Sequence, residues 1–273
     1  MTSRFSKTLL SAAALLAPAL AFAPARAGVG DLLVAPTRII LDGRRGTEII
    51  LNNIGEEEAT YRISVELRRM TKAGELEDVP APSAEELAAQ AMVLYAPRRV
   101  TLPPRQPQAI RISARAPEGL ADGEYRVHLL FRAVPKPRPI ARPGEVQGVA
   151  ISLTPIYGVT IPVIVRLGNL SARAGIAEVR LTKQAGKPAI ALDLSRSGDR
   201  STYGEIRVMK AGIAEPIAQQ RGVAVYKELA ERTVTIPVND KYAAALSGPV
   251  TVQYIESAEE GGRILAETQA VLR

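Results

Sequence analysis

The stretch Val149-Ala150-Ile151-Ser152-Leu153-Thr154-Pro155-Ile156-Tyr157-Gly158-Val159-Thr160-Ile161-Pro162-Val163-Ile164-Val165-Arg166 decides the fold. Every odd position from Val149 to Val165 is apolar or aromatic, a period of two that belongs to a β-strand. Such a strand reaches about 55 Å at about 3.3 Å per residue, roughly twice the breadth of one sandwich, so part of its apolar face lacks a partner in its own domain. A regular apolar edge of that kind invites aggregation unless something pairs with it. Directly before it stands Pro135-Lys136-Pro137-Arg138-Pro139-Ile140-Ala141-Arg142-Pro143, a basic loop whose prolines cannot extend a ladder and which is expected to be mobile. The layout is a loop leading into a strand built for a guest.

Working outward, the same period of two marks Leu32–Leu41, Thr47–Asn53, Thr60–Met70, Ala109–Ala114 and Tyr125–Ala133 as strands. Turn signals separate them at Asp42-Gly43, Asn52-Asn53 with Gly55, Ala73-Gly74, Pro103-Pro104 and Asp122-Gly123. From Leu181 the pattern resumes at Ile190–Ser195, Glu205–Lys210, Gly222–Tyr226, Arg232–Pro237, Pro249–Glu256 and Ile264–Val271, enough for a second sandwich beyond a hinge near Leu167-Gly168-Asn169. One helix interrupts: Ser83 and Glu86 form a capping box ahead of Leu87–Met92, read as a crossover connection. The expected fold is all-β, in two domains, 28–167 and 168–273.

Composition narrows the function. The chain has no cysteine and one histidine, His128, which removes disulfide scaffolds, zinc clusters and thiol nucleophiles and leaves any triad a single imidazole to use. Arg4 and Lys7 precede an apolar run, Leu9–Phe22, that ends in Ala25-Arg26-Ala27, the pattern of a cleaved export signal over residues 1–27. Its removal takes three basic residues and no acid, leaving 32 basic against 28 acidic residues, a net +4 in place of +7. That charge is spread evenly over both halves and has no interleaved aromatics, which argues against nucleic-acid binding. No later stretch is long and apolar enough for a membrane helix. Several motifs are set aside: Gly28-Val29-Gly30 lacks a preceding strand, and Glu56-Glu57-Glu58 and Glu259-Glu260 read as solvated turns. His128 reads as a satisfied sheet histidine, and Asn169-Leu170-Ser171 carries no weight.

Four segments together resemble the periplasmic chaperones of the chaperone-usher pathway, which assemble pili and fimbriae: Pro36-Thr37-Arg38-Ile39-Ile40-Leu41; Pro97-Arg98-Arg99-Val100-Thr101-Leu102-Pro103 followed by Gln108-Ala109-Ile110-Arg111-Ile112; Gly123-Glu124-Tyr125-Arg126; and the strand ending Ile161-Pro162-Val163-Ile164-Val165-Arg166. The resemblance spans nearly all the chain after residue 27. It implies two immunoglobulin-like sandwiches set at an angle and a guest completed by the long strand, the donor-strand form of β-augmentation. Ile151, Leu153, Pro155, Tyr157, Val159 and Ile161 are then the expected guest-facing positions. It also implies a basic anchor for the guest's terminal carboxylate at Arg38, where a guanidinium can bind through two parallel hydrogen bonds. A second anchor, usually lysine, falls on Pro162, and no Lys or Arg lies between Arg142 and Arg166. An ionic network joining the domains is expected from Arg111, Glu124 and Glu256.

The resemblance thus implies a non-enzymatic periplasmic chaperone whose partners are pilin-like subunits, an outer-membrane usher and, through the same strand, a second copy of itself. It needs no cofactor, metal or nucleotide and has no stable membrane insertion. The competing reading is an exported structural or adhesive sandwich protein, which gives no reason for so long an apolar alternation.

Overall fold

The computed structural model describes residues 31–136, 156–243 and 246–273. The expected export segment, Gly28-Val29-Gly30, the loop from Pro137 onward and the positions Ile151, Leu153 and Pro155 lie outside the described residues. In chain order the first half runs β1 (Leu32–Ala35), β2 (Ile39–Leu41), β3 (Thr47–Asn53), β4 (Ala59–Glu66), the hairpin β5 (Arg68–Met70) and β6 (Leu76–Asp78), α1 (Ala84–Met92), β7 (Val93–Ala96), β8 (Arg99–Leu102), β9 (Pro107–Ala114), β10 (Gly123–Val134) and β11 (Gly158–Leu167). These form two facing sheets, ordered β1-β3-β9-β7 and β2-β11-β10-β4-β8. That is the partition of an immunoglobulin-like sandwich.

Two of its strands change sheets midway, which the hydropathy pattern alone does not show. The expected single strand Leu32–Leu41 breaks into β1 and β2 around Pro36, and β7 gives way to β8 around Pro97. A proline has no N–H to give a ladder, so the chain leaves one sheet there and joins the other. The capping box forms as read, with Ser83 Oγ accepting from Glu86 N and the Glu86 carboxylate accepting from Ser83 N, and α1 sends Ala89 and Met92 into the core.

The second half continues with β12 (Ala172–Gln184), β13 (Lys187–Gly198), β14 (Thr202–Lys210), β15 (Ala218–Val225), β16 (Glu231–Pro237), β17 (Gly248–Glu256) and β18 (Ile264–Leu272). Its sheets are β12-β13-β16 and β15-β14-β17-β18, again an immunoglobulin-like arrangement. The protein is therefore all-β in two sandwiches, with one α-helix among the described residues. The strand β12, which alternates weakly, begins well before the expected Leu181.

Each sandwich has its own core. The first centres on Ile49, Leu51, Tyr61, Ile110, Leu129, Phe131 and Val163, the second on Leu192, Ile206, Val225, Ile236, Val252 and Tyr254. A small third cluster, Met70, Ile164, Ala224 and Tyr226, joins the halves. The β5–β6 hairpin supports that junction, because Thr233 N donates to Lys72 O at 2.8 Å and Met70 N donates to the Glu228 carboxylate at 3.0 Å. The link from β11 to β12 turns at Gly168, whose φ of 81° and contact with the Asp122 side chain leave no room for a Cβ.

Candidate functional site

The site is built on β11 and the face of its sheet turned toward the second sandwich. β11 pairs along its length with β10, from Gly123↔Leu167 to Arg132↔Gly158, but with β2 only over Val163–Val165. Ala133 N donates to Tyr157 O at 2.9 Å, so odd residues of β11 turn their backbone groups to β10, and Gly158, Thr160 and Pro162 turn theirs outward. The outer edge from Gly158 to Pro162 is thus unpaired among the described residues, and Pro162 is tolerated because the N–H it lacks would point away from β10.

Burial along the odd face divides the expected guest-facing residues. Ile161 is 2% exposed and belongs to the first core, with Val159 packed partly against it, whereas Tyr157 is 57% exposed. This corrects the sequence reading for Ile161, whose side chain fills the core of its own sandwich, and in part for Val159, which is half-buried against that core. The same face leaves the sandwich at Tyr157.

The even face carries the charges. Glu124 and Arg166 are direct cross-strand partners on β10 and β11, and Arg38, immediately before β2, lies on the same side. The second half contributes Arg200 and Ser201 from the β13–β14 link, Glu256 at the end of β17, and Glu260 from the short turn after it. Arg166 Nε donates to Glu124 Oε2 at 2.9 Å, and its Nη1 donates to Glu260 Oε2 at 2.7 Å. Arg38 Nη1 donates to Glu260 Oε1 at 2.5 Å, with the two side chains only 6% and 7% exposed. Arg200 reaches Glu256 at 3.0 Å and Glu260 at 3.3 Å, and Arg263 closes on Glu256 at 3.2 Å from the rim. Glu124 also accepts from Ser201 N at 3.0 Å and from Ser201 Oγ at 2.9 Å.

Three buried carboxylates are therefore matched by three largely buried guanidiniums, which is what makes ionised groups tolerable at a junction of low dielectric. Burial alone would lower the pKa of Arg166, but the hydrogen bond to Glu260 and the charges of Glu124 and Glu260 outweigh it and hold the group above its ordinary value. For Glu256, burial pushes upward and the bonds from Arg200 and Arg263 prevail, so its carboxyl titrates below the usual range. The Arg38 guanidinium lies 4.3 Å from the centre of the Tyr203 ring, and its Nε and Nη2 are buried with no hydrogen-bond partner among the described residues. A cleft of about 790 Å³ adjoins it, lined by Arg38, Tyr203, Arg207, Arg221, Glu256 and Ser257 among others.

Of the expected network, Glu124 and Glu256 are brought together, through Arg166, Glu260 and Arg200. Arg111 is not. It sits on β9 in the opposite sheet, alternates outward between buried Ile110 and Ile112, and faces Glu48 at 3.5 Å with its side chain 87% exposed. The arginine that pairs with Glu124 is Arg166. Glu260, read as part of a solvated turn, is buried and ion-paired, while Glu259 beside it is exposed. His128 is wholly buried, but neither ring nitrogen meets a hydrogen-bond partner among the described residues, so it is not the satisfied histidine expected. The described residues contain no group of three or more His, Cys, Asp or Glu placed to hold a metal, and no helix long and apolar enough to cross a membrane.

Fold and site define a two-domain immunoglobulin-like protein with a buried ion-paired junction and a half-free strand edge beside it. Compared with known proteins, the sequence matches no family model and no curated protein. Among solved structures it is similar to the YadV chaperone, at 14% identity over 89% of this chain and 100% of that one, with a TM-score of 0.45. It is similar also to a structure of the Salmonella enterica SafA pilin in complex with the SafB chaperone, at 18% identity over 90% of this chain and 98% of the matched one (TM-score 0.45). A third is the CsuC-CsuE chaperone-tip adhesion subunit pre-assembly complex of Acinetobacter baumannii, at 11% identity over 88% and 97% (TM-score 0.44).

Proposed function

We propose that the protein is a periplasmic assembly chaperone that stabilises pilin-like subunits by lending them a strand and passes them to an outer-membrane usher. Its working units are 28–167 and 168–273, after an export signal over 1–27. One observation carries the reading: the odd face, followed from β11 to the residue just before it, goes from 2% exposed at Ile161 to 57% at Tyr157, beside a stretch, Gly158 to Pro162, whose outer edge has no strand partner among the described residues. The alternation continues upstream through Pro155, Leu153 and Ile151, so the face that completes the chain's own core becomes, further along, a face able to complete another. Arg38, with unused donors at the end of an adjoining cleft, is suited to fix the register of a guest that ends in a carboxylate. Binding, release and handover of this kind need no catalytic group, nucleotide, metal or cofactor.

The test is co-expression with candidate exported subunits and recovery of the complex from the periplasm, with the subunit identified by mass spectrometry. Leu153→Asp should abolish recovery while the free protein keeps its melting temperature, and Ser152→Asp should do neither. Equal loss for both variants, or none for either, would remove the donor-strand role.

A further inference from the structure

No Lys or Arg lies between Arg142 and Arg166, yet the junction is not short of positive charge. Glu260 alone receives three guanidiniums: Arg38 at 2.5 Å, Arg166 at 2.7 Å and Arg200 at 3.3 Å. It fills that place as a free carboxylate would, with one oxygen to Arg38 and the other shared by Arg166 and Arg200. The three donors are not exhausted by it, since Arg38 Nε and Nη2 and Arg166 Nη2 are buried without a hydrogen-bond partner among the described residues. A guanidinium with two adjacent unmet N–H groups is one edge of a bidentate carboxylate site.

The way Glu260 arrives is equally informative. It stands at the end of a single 3-10 turn, Ala258–Glu260, outside the β17–β18 ladder. The turn closes through Gly261 and Gly262, with φ of 127° and 68°, conformations that glycine adopts freely. The ladder is sealed beneath it, where Glu256 N donates to Arg263 O at 2.8 Å. Ser257 stays tied to β14, its N donating to Tyr203 O at 3.1 Å, but the backbone bonds of 258–262 all close within 257–262. That turn can therefore swing without breaking the sheet, and Ser257 and Gly262 line the cleft that leads to Arg38.

We propose that Glu260 is the resident occupant of the carboxylate site, that Arg38, Arg166 and Arg200 together form that site, and that a guest's terminal carboxylate enters by displacing Glu260. This rests on the guest-binding reading above and adds its regulation. Exchange of one carboxylate for another leaves no arginine uncompensated at any completed stage, and Glu260 regains water as it leaves. A neutral terminus cannot make that exchange. The resident carboxylate thus selects for charged chain ends and holds affinity below what three arginines could give.

Two measurements test it, on wild type, Glu260→Gln and Glu260→Asp. The aspartate keeps the charge but withdraws it by one methylene, and it carries the test should the glutamine variant fold poorly. First, without any guest, phenylglyoxal modification of Arg38 is followed by mass spectrometry, with exposed Arg111 as the internal standard. Arg38 should react at least tenfold more slowly than Arg111 in wild type and accelerate several-fold in the variants. Arg38 as reactive as Arg111 in wild type, or unchanged in both variants, overturns the proposal.

Second, a fluorescent strand-forming peptide, Val-Thr-Val-Thr-Val-Thr-Tyr, is titrated as the free acid and as the amide. The acid should bind the glutamine variant about tenfold more tightly than wild type, as loss of a competing charge-assisted pair requires, and the amide should show no such gain. Equal affinity of the acid for all three proteins overturns displacement alone. No preference of any of the proteins for acid over amide overturns the carboxylate anchor itself, and the proposal with it.

Discussion

His128 sits mid-strand on β10, across from Pro162 on one side and Glu66 on the other, with no solvent exposure. Burial, reinforced by the positive charges of Arg126 and Arg68, pushes its pKa down to about 3 from 6.5. The folded protein therefore keeps the ring neutral throughout the mildly acidic range, while the unfolded chain protonates it below about pH 6.5. Protons bound only by the unfolded state favour unfolding, so the titration has no effect on stability well above about pH 6.5, and stability is lost progressively as pH falls from there toward 3. At pH 4.5, two units below the unfolded value, the loss is about 2.7 kcal/mol, a large share of the stability of most domains. His128→Leu removes the titration and the two unpartnered nitrogens together. It should gain about 1 kcal/mol at pH 7.5 through loss of the buried polar atoms, and its advantage should widen to roughly 3–4 kcal/mol at pH 4.5. Urea unfolding followed by far-UV circular dichroism at both pH values measures this, and the carboxylates common to the two proteins cancel in the difference. If wild type and variant lose the same stability between pH 7.5 and 4.5, the ring is either protonated in the fold or not buried as described, and the reasoning fails.

Two odd positions, Ile161 within β11 and Tyr157 just before it, should respond in opposite ways. Ile161→Asp places a charge in the first core and should cost several kcal/mol, whereas Tyr157→Asp, at an exposed position, should leave the thermal melt within about a degree of wild type. Gly204 lies on β14 against the backbone of Ile255, so Gly204→Ala should force β14 and β17 apart and cost about 1–3 kcal/mol in urea unfolding. Ser83→Ala should remove the N-cap of α1 at a cost of about 1 kcal/mol, with the loss of hydrogen-exchange protection confined to the first turn of that helix.

Strands are legible where alternation, a local property, runs long enough; the short β6, β7 and β8 and the weakly alternating start of β12 carry too little of it to be expected from sequence. Thr47–Asn53 was placed to the residue, and the capping box at Ser83 and Glu86 announced its helix, since both signals need only neighbours in the chain. The strand break at Pro36 is less legible, and the pair β7 and β8 that flanks Pro97 is not expected at all. A proline in an alternating run marks a place where pairing stops, but the sequence does not say that the chain then joins the facing sheet.

The candidate site shows more sharply where local reading ends. Alternation assigns residues to a face, and it assigned Val159, Ile161 and Tyr157 correctly to one face; it does not say where along the strand the protein's own core stops, because that depends on how far β10 and β2 extend beside it. For the charges, parity separates the two arginines in part. Arg166 is an even position on β11, so it shares a face with Ile164 and can meet Glu124, while Arg111 lies on a strand of the opposite sheet. Register between distant strands decides which arginine is buried, and hydropathy does not report register. Glu259 and Glu260 are the limiting case: adjacent, chemically alike, one exposed and one buried among three arginines. Nothing local separates them. What separates them is charge balance across the junction, because Arg38, Arg166 and Arg200 take a third carboxylate beside Glu124 and Glu256, and among the described residues the second sandwich's turn supplies it as Glu260.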